Sequence, residues 1–231
     1  MAQGQEEDLQ AILDREIGWR RKELVDLKRQ TESSALVVLQ RASIALAYAH
    51  YEGFVKQSLF AVSRFINQRR LASSTVKSAL LSTHFKSLID NTHKSKVPAY
   101  FVDAIELLRD QKPFRVKVDL KKHLENIGNL DHANLVSALR CVGIDTVPLQ
   151  NLKQFIDEAL LARRNLIAHG EYVELSREEA LDVVERVVGL LGQIKTLIEN
   201  MITLRSYLEP IPRAETSTAT PPSPQTAPTL T

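Results

Sequence analysis

Apolar residues recur along most of this chain at helical spacing. From Asp8 to about Gln30, Leu9, Ile12, Leu13, Ile17, Leu24 and Leu27 return among dense charges, which predicts an amphipathic helix with one face on a core or a partner. Ser33 or Ser34 restarts the pattern. The run from Ala35 to about Asn67 holds no proline and a single glycine, Gly53, and reads as one long helix forming the spine of a bundle. Ser73 and Ser74 are candidate caps for a shorter helix to about Leu81, because a serine oxygen can accept from an orphan amide at a helix start. Pro98 is expected to open a helix through Leu108, and Pro113 to stop it. Phe114, Val116 and Val118 then alternate with Arg115 and Lys117 at a period of two, which fits a lone strand pair and an extended loop equally well.

Further along, Asn134 to Cys141 predicts a short helix closed by Gly143. Pro148 precedes a helix carrying Leu149, Leu152, Ile156, Leu160 and Ile167 on one stripe, and Gly170 ends it. Ser176 followed by Glu179 is a capping-box pattern for a last helix that runs to about Leu208. Beyond Glu209 the chain is almost all Pro, Thr, Ser and Ala, a composition that cannot offset the entropy of ordering, so 210–231 is expected to be a disordered tail. The organisation is therefore an N-terminal amphipathic helix over 1–32, part of the bundle or of a dimer contact, a helical domain over 33–209, and the tail. No internal repeat is visible.

Composition narrows the class. The chain has 231 residues, of which 44% are hydrophobic and 25% charged, enough for an ordinary globular core. Only 8 glycines interrupt stretches rich in Leu, Ala, Glu, Lys, Arg and Gln, so the expected fold class is all-α. Cys141 is the only cysteine, which excludes an intrachain disulfide and cysteine-rich zinc sites and fits a reducing compartment. The start, MAQGQEEDLQ, is acidic where a signal peptide would be basic and then apolar, and no apolar run reaches the roughly 18 residues of a membrane span, so a cytoplasmic protein without membrane contact is expected. A net charge of +2 does not by itself announce a nucleic-acid binder, because clustering of cations matters more than their sum.

The segment LLARRNLIAHGEY holds the candidate chemistry. Arg164, Asn165 and His169 form R-N-x-x-x-H, a spacing that resembles the active motif of the HEPN superfamily, helical domains found in many prokaryotic toxins and antiviral ribonucleases. The stretch LAYAHYEGFVK, from Leu46 to Lys56, is similar to the aromatic-rich second helix of a defence-associated branch with the pattern Y-A-H-W-E-G-F; Tyr51 stands where tryptophan is usual. HANLVSALRCVGID, from His132 to Asp145, resembles that branch's S-N-L-N-x-x-x-L-x-x-L-G-I-D segment, with His132 and Val136 in place of serine and asparagine. Three matches in the same order cover most of Ala35 to Leu208 and imply a HEPN-like bundle of long antiparallel helices, related to RNA-ligase-linked and toxin-type HEPN domains.

Cutting RNA without a metal requires a group that moves protons near neutral pH and a cation that offsets charge on the pentacoordinate phosphorus. Imidazole titrates in that range, and guanidinium grips phosphate oxygens in a planar fork. In this reading the ribose 2′-OH attacks the adjacent phosphate, His169 acts as general base or acid, Arg164 stabilises the developing charge, Asn165 orients the histidine or binds phosphate, and a cyclic phosphate end results. No cofactor is implied. On an ideal helix positions 164 and 169 lie about 140° apart, which favours either a site shared by two chains or a helix that loosens before Gly170. HEPN relatives commonly dimerise with their motifs facing across a cleft, so a homodimer is implied. Arg163 also satisfies the superfamily's looser spacing, but on the ideal projection it points into the apolar stripe, and the role goes to Arg164.

Other residues support this picture or have plainer explanations. Arg164 and His169 also suit a helix C-terminus stabilised by basic side chains beside a Gly170 cap. His50, Tyr51 and Glu52 are most simply core and helix-surface positions; a supporting role at the site is the alternative, with Glu52 the leading candidate. Arg163, Arg115, Lys117, Lys121 and Lys122 are candidate RNA-backbone contacts, although a solvated loop explains the segment from Arg109 to Lys122 as well. His84, His93, His123 and His132 lack metal-ligand spacing. The expected function is a metal-independent endoribonuclease, a toxin or antiviral effector with an RNA substrate and an antitoxin or defence-complex partner. The alternative is a non-catalytic HEPN domain that binds a protein or nucleotide, and a third reading makes the bundle a structural piece of a larger complex.

Overall fold

The computed structural model describes residues 2–94, 99–110, 112–121, 124 and 127–210, so Pro98, His123, Lys122 among the expected RNA contacts, and 211–231 of the expected tail lie outside the described residues. In chain order the helices are α1 (Ala2–Ser33), α2 (Val37–Gln68), α3 (Ser78–Lys94), α4 (Ala99–Arg109) and α5 (His132–Arg140). A π-helical segment, Phe155–Ala162, then runs into α6 (Arg163–Ala168), and α7 (Arg177–Thr203) follows. Single 3-10 segments occupy Ser73–Thr75 and Val147–Leu152.

Helices α1, α2 and α7 form the centre. The short link between α1 and α2 forces them antiparallel: Thr31 meets Ser43 near the turn, and Glu6 meets Arg69 at the far end. The apolar stripe expected on the first helix is buried as Leu9, Leu13, Ile17 and Leu24, and it packs with Ile44, Phe54, Leu59, Val62 and Ile66 of α2 and Val183, Val187, Leu191, Ile194 and Ile198 of α7. Truncating one of these fully buried leucines to alanine costs about 2–5 kcal/mol. Helix α7 starts as expected: Ser176 Oγ accepts from Glu179 N, and the Glu179 carboxylate accepts from Ser176 N. It stops at Thr203 rather than Leu208, because Arg205 takes a positive φ of 49° and turns the chain so that Tyr207 enters the core.

Two further expectations change. The helix expected from Ser73 to Leu81 is broken at Thr75–Lys77, where the backbone is drawn into extended pairing with the C-terminal segment: Lys77 N donates to Tyr207 O and Glu209 N to Thr75 O. Around Val116 the choice between strand pair and loop resolves as an extended segment with one isolated bridge, Ala72 to Arg115. Its period-two pattern is real, since Val116, Val118 and Leu120 are buried while Arg115 and Lys117 are exposed. Asn67, one residue from the end of α2, stitches it down by accepting from Val118 N at 2.8 Å and donating to Val118 O at 2.7 Å. Among the described residues no helix is long and apolar enough to cross a membrane.

Candidate active site

The segment that ends in His169 departs from an ordinary helix just before its arginines. FIDEALLA contains only good or tolerable helix formers, yet its turns are π-helical, a geometry with i→i+5 bonds that is common at functional sites. Each wider turn takes up an extra residue, so the face that follows is rotated away from the ideal projection. This corrects the expectation for the arginine pair. Arg163 does not enter the apolar stripe; its Nη2 reaches the surface carboxylate of Glu179 at 2.7 Å. Glu179 is held below the usual carboxylate range by the Ser176 backbone amide and then by Arg163. Arg164 turns inward instead.

The Arg164 guanidinium sits over α2, with Cζ 4.0 Å from the ring centroid of Tyr48, and its Nη2 donates to Asn129 Oδ1 at 2.8 Å. Its Nε is buried with no hydrogen-bond partner, and among the described residues it makes no ion pair. Tyr48 is itself fixed: the ring is buried and its hydroxyl accepts from Leu130 N at 2.8 Å. Burial pushes the Tyr48 phenol above its ordinary value. Asn129 belongs to a tightly tied turn. Its carbonyl accepts from Asn134 Nδ2 at 3.0 Å, Asp131 caps α5 by accepting from Asn134 N at 2.7 Å, and Asp157 of the π segment accepts from His132 N at 2.8 Å.

His169 is the C-cap of α6, one residue beyond its end. Gly170 follows with a φ of +77°, and the bonds from Gly170 N to Ile167 O and from Glu171 N to Leu166 O close a Schellman turn. Arg41 of α2 then holds the turn by donating to Glu171 O at 2.8 Å. The His169 side chain is exposed and makes no hydrogen bond to any described residue. Asn165 is half-buried; its carbonyl accepts from His169 N at 3.0 Å, while its side chain is unpaired among the described residues. Arg164 thus lies in α6 and His169 caps its end, with no hydrogen bond or ring contact between the two side chains within a single chain.

The supporting candidates divide. Tyr51 is fully buried beside Tyr48, with its hydroxyl unpaired and its phenol pushed well above the ordinary value by burial. Glu52 pairs with Lys56 one turn on, at 2.6 Å. His50 faces the other way, toward α1: its ring meets Trp19 edge-on at 5.3 Å, and Nε2 sits 3.4 Å from the Glu23 carboxylate without the alignment of a hydrogen bond. The basic segment is not next to the motif. Arg115 donates to Asn67 O, and along α2 Asn67 is about 28 Å from Tyr48 at 1.5 Å per residue. Arg115, Lys117 and Lys121 are exposed there.

Sequence reasoning missed Tyr48 and Asn129 as partners of the arginine. Tyr48 stood inside the quoted LAYAHYEGFVK stretch, and Asn129 lies three residues ahead of HANLVSALRCVGID. What was missing was their convergence on α6 from separate parts of the chain. No curated protein and no solved structure matches the chain. A family described as HEPN_MAE_28990-like HEPN matches residues 9–207, from the first buried leucine of α1 to the buried Tyr207. With that span covering nearly all of the central bundle and all three quoted segments, the chain belongs to the HEPN_MAE_28990-like HEPN family, a group of RNA-related nuclease or binding modules.

Proposed function

We propose that this protein is a metal-independent endoribonuclease that acts as a toxin or antiviral effector. The observation that carries the reading is the state of Arg164. It is the motif's arginine, it is held by two neutral partners, and no carboxylate neutralises it among the described residues. A half-buried guanidinium left in that state is suited to an arriving phosphate, because electrostatic attraction is stronger where water is partly excluded. Five residues after Arg164, at the cap of α6, His169 stands in solvent, where it can meet the 2′-OH or the leaving oxygen.

Because no hydrogen bond joins the two side chains within one chain, the reading places the reaction in a cleft between two copies. The surface beside His169 suits such an interface. Leu36, Val37 and Val38 are 62%, 53% and 64% exposed at the start of α2, Tyr172 is 80% exposed, and Arg41 with Glu171 joins these two parts of the surface. Apolar groups gathered this way mark protein contacts more often than scattered ones do. In solution the protein is expected to be a dimer, with an antitoxin or trigger protein restraining it.

The test is cleavage of single-stranded RNA by the purified protein in EDTA. The expected products carry 2′,3′-cyclic phosphate ends, and His169→Ala loses the activity. The unpartnered His169 side chain also suits a second reading, a domain that binds RNA, nucleotide or protein without cutting. Wild-type protein that binds RNA but leaves it intact would establish that one.

A further inference from the structure

We propose that Tyr48 and Asn129 are positioning residues for Arg164, and that Asn129 is an amide so that the guanidinium is oriented without being neutralised. The inference rests on the nuclease reading and extends it to residues outside the R-N-x-x-x-H segment. The geometry is specific. The Tyr48 ring backs the guanidinium, with Cζ 4.0 Å from the ring centroid, and Asn129 Oδ1 accepts from Nη2 at 2.8 Å. Both partners are tied in turn: the Tyr48 hydroxyl accepts from Leu130 N and the Asn129 backbone carbonyl from Asn134 Nδ2.

An arginine with five N–H donors can satisfy this clamp with one of them and still present an edge to a phosphate. A carboxylate in place of the Asn129 amide would have nearly the same shape and would bond more strongly. It would also place a counter-ion on the cation that the substrate needs. Neighbouring arginines show the contrast: Arg163 is paired to Glu179 and Arg186 to Asp182. Losing the clamp matters because a group displaced by about 1 Å from its productive position costs on the order of a hundredfold in rate.

The experiment is a double-mutant cycle on the full chain, combining Asn129→Asp with Arg164→Ala. Two probes are read: cleavage of a single-stranded RNA oligonucleotide in EDTA, and affinity for its uncleavable 2′-O-methyl analogue. Asn129→Asp is expected to melt at or above the wild-type temperature, and to lose at least tenfold in cleavage and in affinity. On the Arg164→Ala background the same change is expected to alter affinity less than twofold, which separates neutralisation of Arg164 from general repulsion of RNA by a new charge. Tyr48→Leu is expected to lower kcat by about a hundredfold with KM changing less, while Tyr48→Phe, which keeps the ring but loses the bond from Leu130 N, is expected to lose less than Tyr48→Leu.

Equal losses on both backgrounds, or an Asn129→Asp protein that cuts and binds like wild type, would overturn the proposal. If wild type does not cut, the nuclease reading fails by itself, and the affinity cycle still decides the role of Asn129.

Discussion

Two arginines sit over aromatic rings beside α2, Arg20 over Trp19 of α1 and Arg164 over Tyr48 of α2, and they have been put to different uses. Arg20 of α1 sits 4.2 Å over Trp19 and is 5% exposed; its Nη1 bonds to the Glu16 carboxylate at 2.5 Å and to the Glu16 carbonyl. Arg164 sits 4.0 Å over Tyr48, half-buried, and its fixed partner is an amide. Stacking is common to both. The counter-ion is what differs. A buried cation with its carboxylate beside it is closed to further anions, whereas a cation with only neutral contacts among the described residues keeps its charge for something else.

The stretch LAYAHYEGFVK serves both arginines at once. Tyr48 and His50 are about 160° apart around the helix, and His50 and Gly53 about 60° apart, so one face carries the Arg164 platform and the other receives Arg20. Gly53 is where it is because of close approach: a Cβ there would meet Arg20 Nη2 at 3.1 Å. Burial lowers the pKa of His50 on that same face, with Glu23 opposing and Arg20 reinforcing the shift.

Changing the two sites separately should break the comparison cleanly. The largest effect is expected from Arg164→Ala, which should lower RNA cleavage by about a hundredfold to a thousandfold while the melting temperature changes little, as loss of a transition-state charge partner does. Removing Glu16 is expected to do the reverse. Glu16→Ala leaves the Arg20 charge buried and unpaired, so chemical denaturation should show a loss of about 3 kcal/mol with the specific activity of the folded fraction unchanged. A smaller effect is expected at Gly53→Ala. The gain in helix propensity, about 1 kcal/mol, works against displacement of the Arg20 side chain, so stability should stay within about 1 kcal/mol of wild type.

The smallest effect concerns pH. Because the folded state holds His50 below its unfolded value of 6.5, the unfolded chain binds more protons between the two values, and stability rises with pH through that window. The contribution is therefore present above about pH 6.5 and lost as pH falls toward the folded value. Denaturation midpoints of wild type and His50→Gln, compared from pH 7.5 down to 5, should diverge above that window and converge below it.

How far the sequence revealed this molecule depended on the range of the interaction. Elements governed by local pattern were legible: the stripe of α1, the proline-free length of α2, the Ser176 capping box and the Gly170 stop all appear as read. The π-helical turns were not, because Phe155–Ala162 contains no glycine or proline to mark them and the same residues suit i→i+4 bonding equally well. That one irregularity reversed the roles expected of Arg163 and Arg164 with respect to the core. The Arg164 clamp was hidden for a different reason: Tyr48 and Leu130 are joined across 82 positions, and no periodicity records such a meeting. For the basic segment the limit was distance, since nothing in its charges told that Asn67 would hold it at the far end of α2.

The central claim is that Arg164, which has no counter-ion among the described residues, does the chemistry. Its most direct test is the rate of RNA cleavage in EDTA by folded Arg164→Ala protein, set beside wild type at equal concentration. The account predicts a rate at least a hundredfold lower with an unchanged melting curve; a variant that folds normally and cuts as fast as wild type would contradict it.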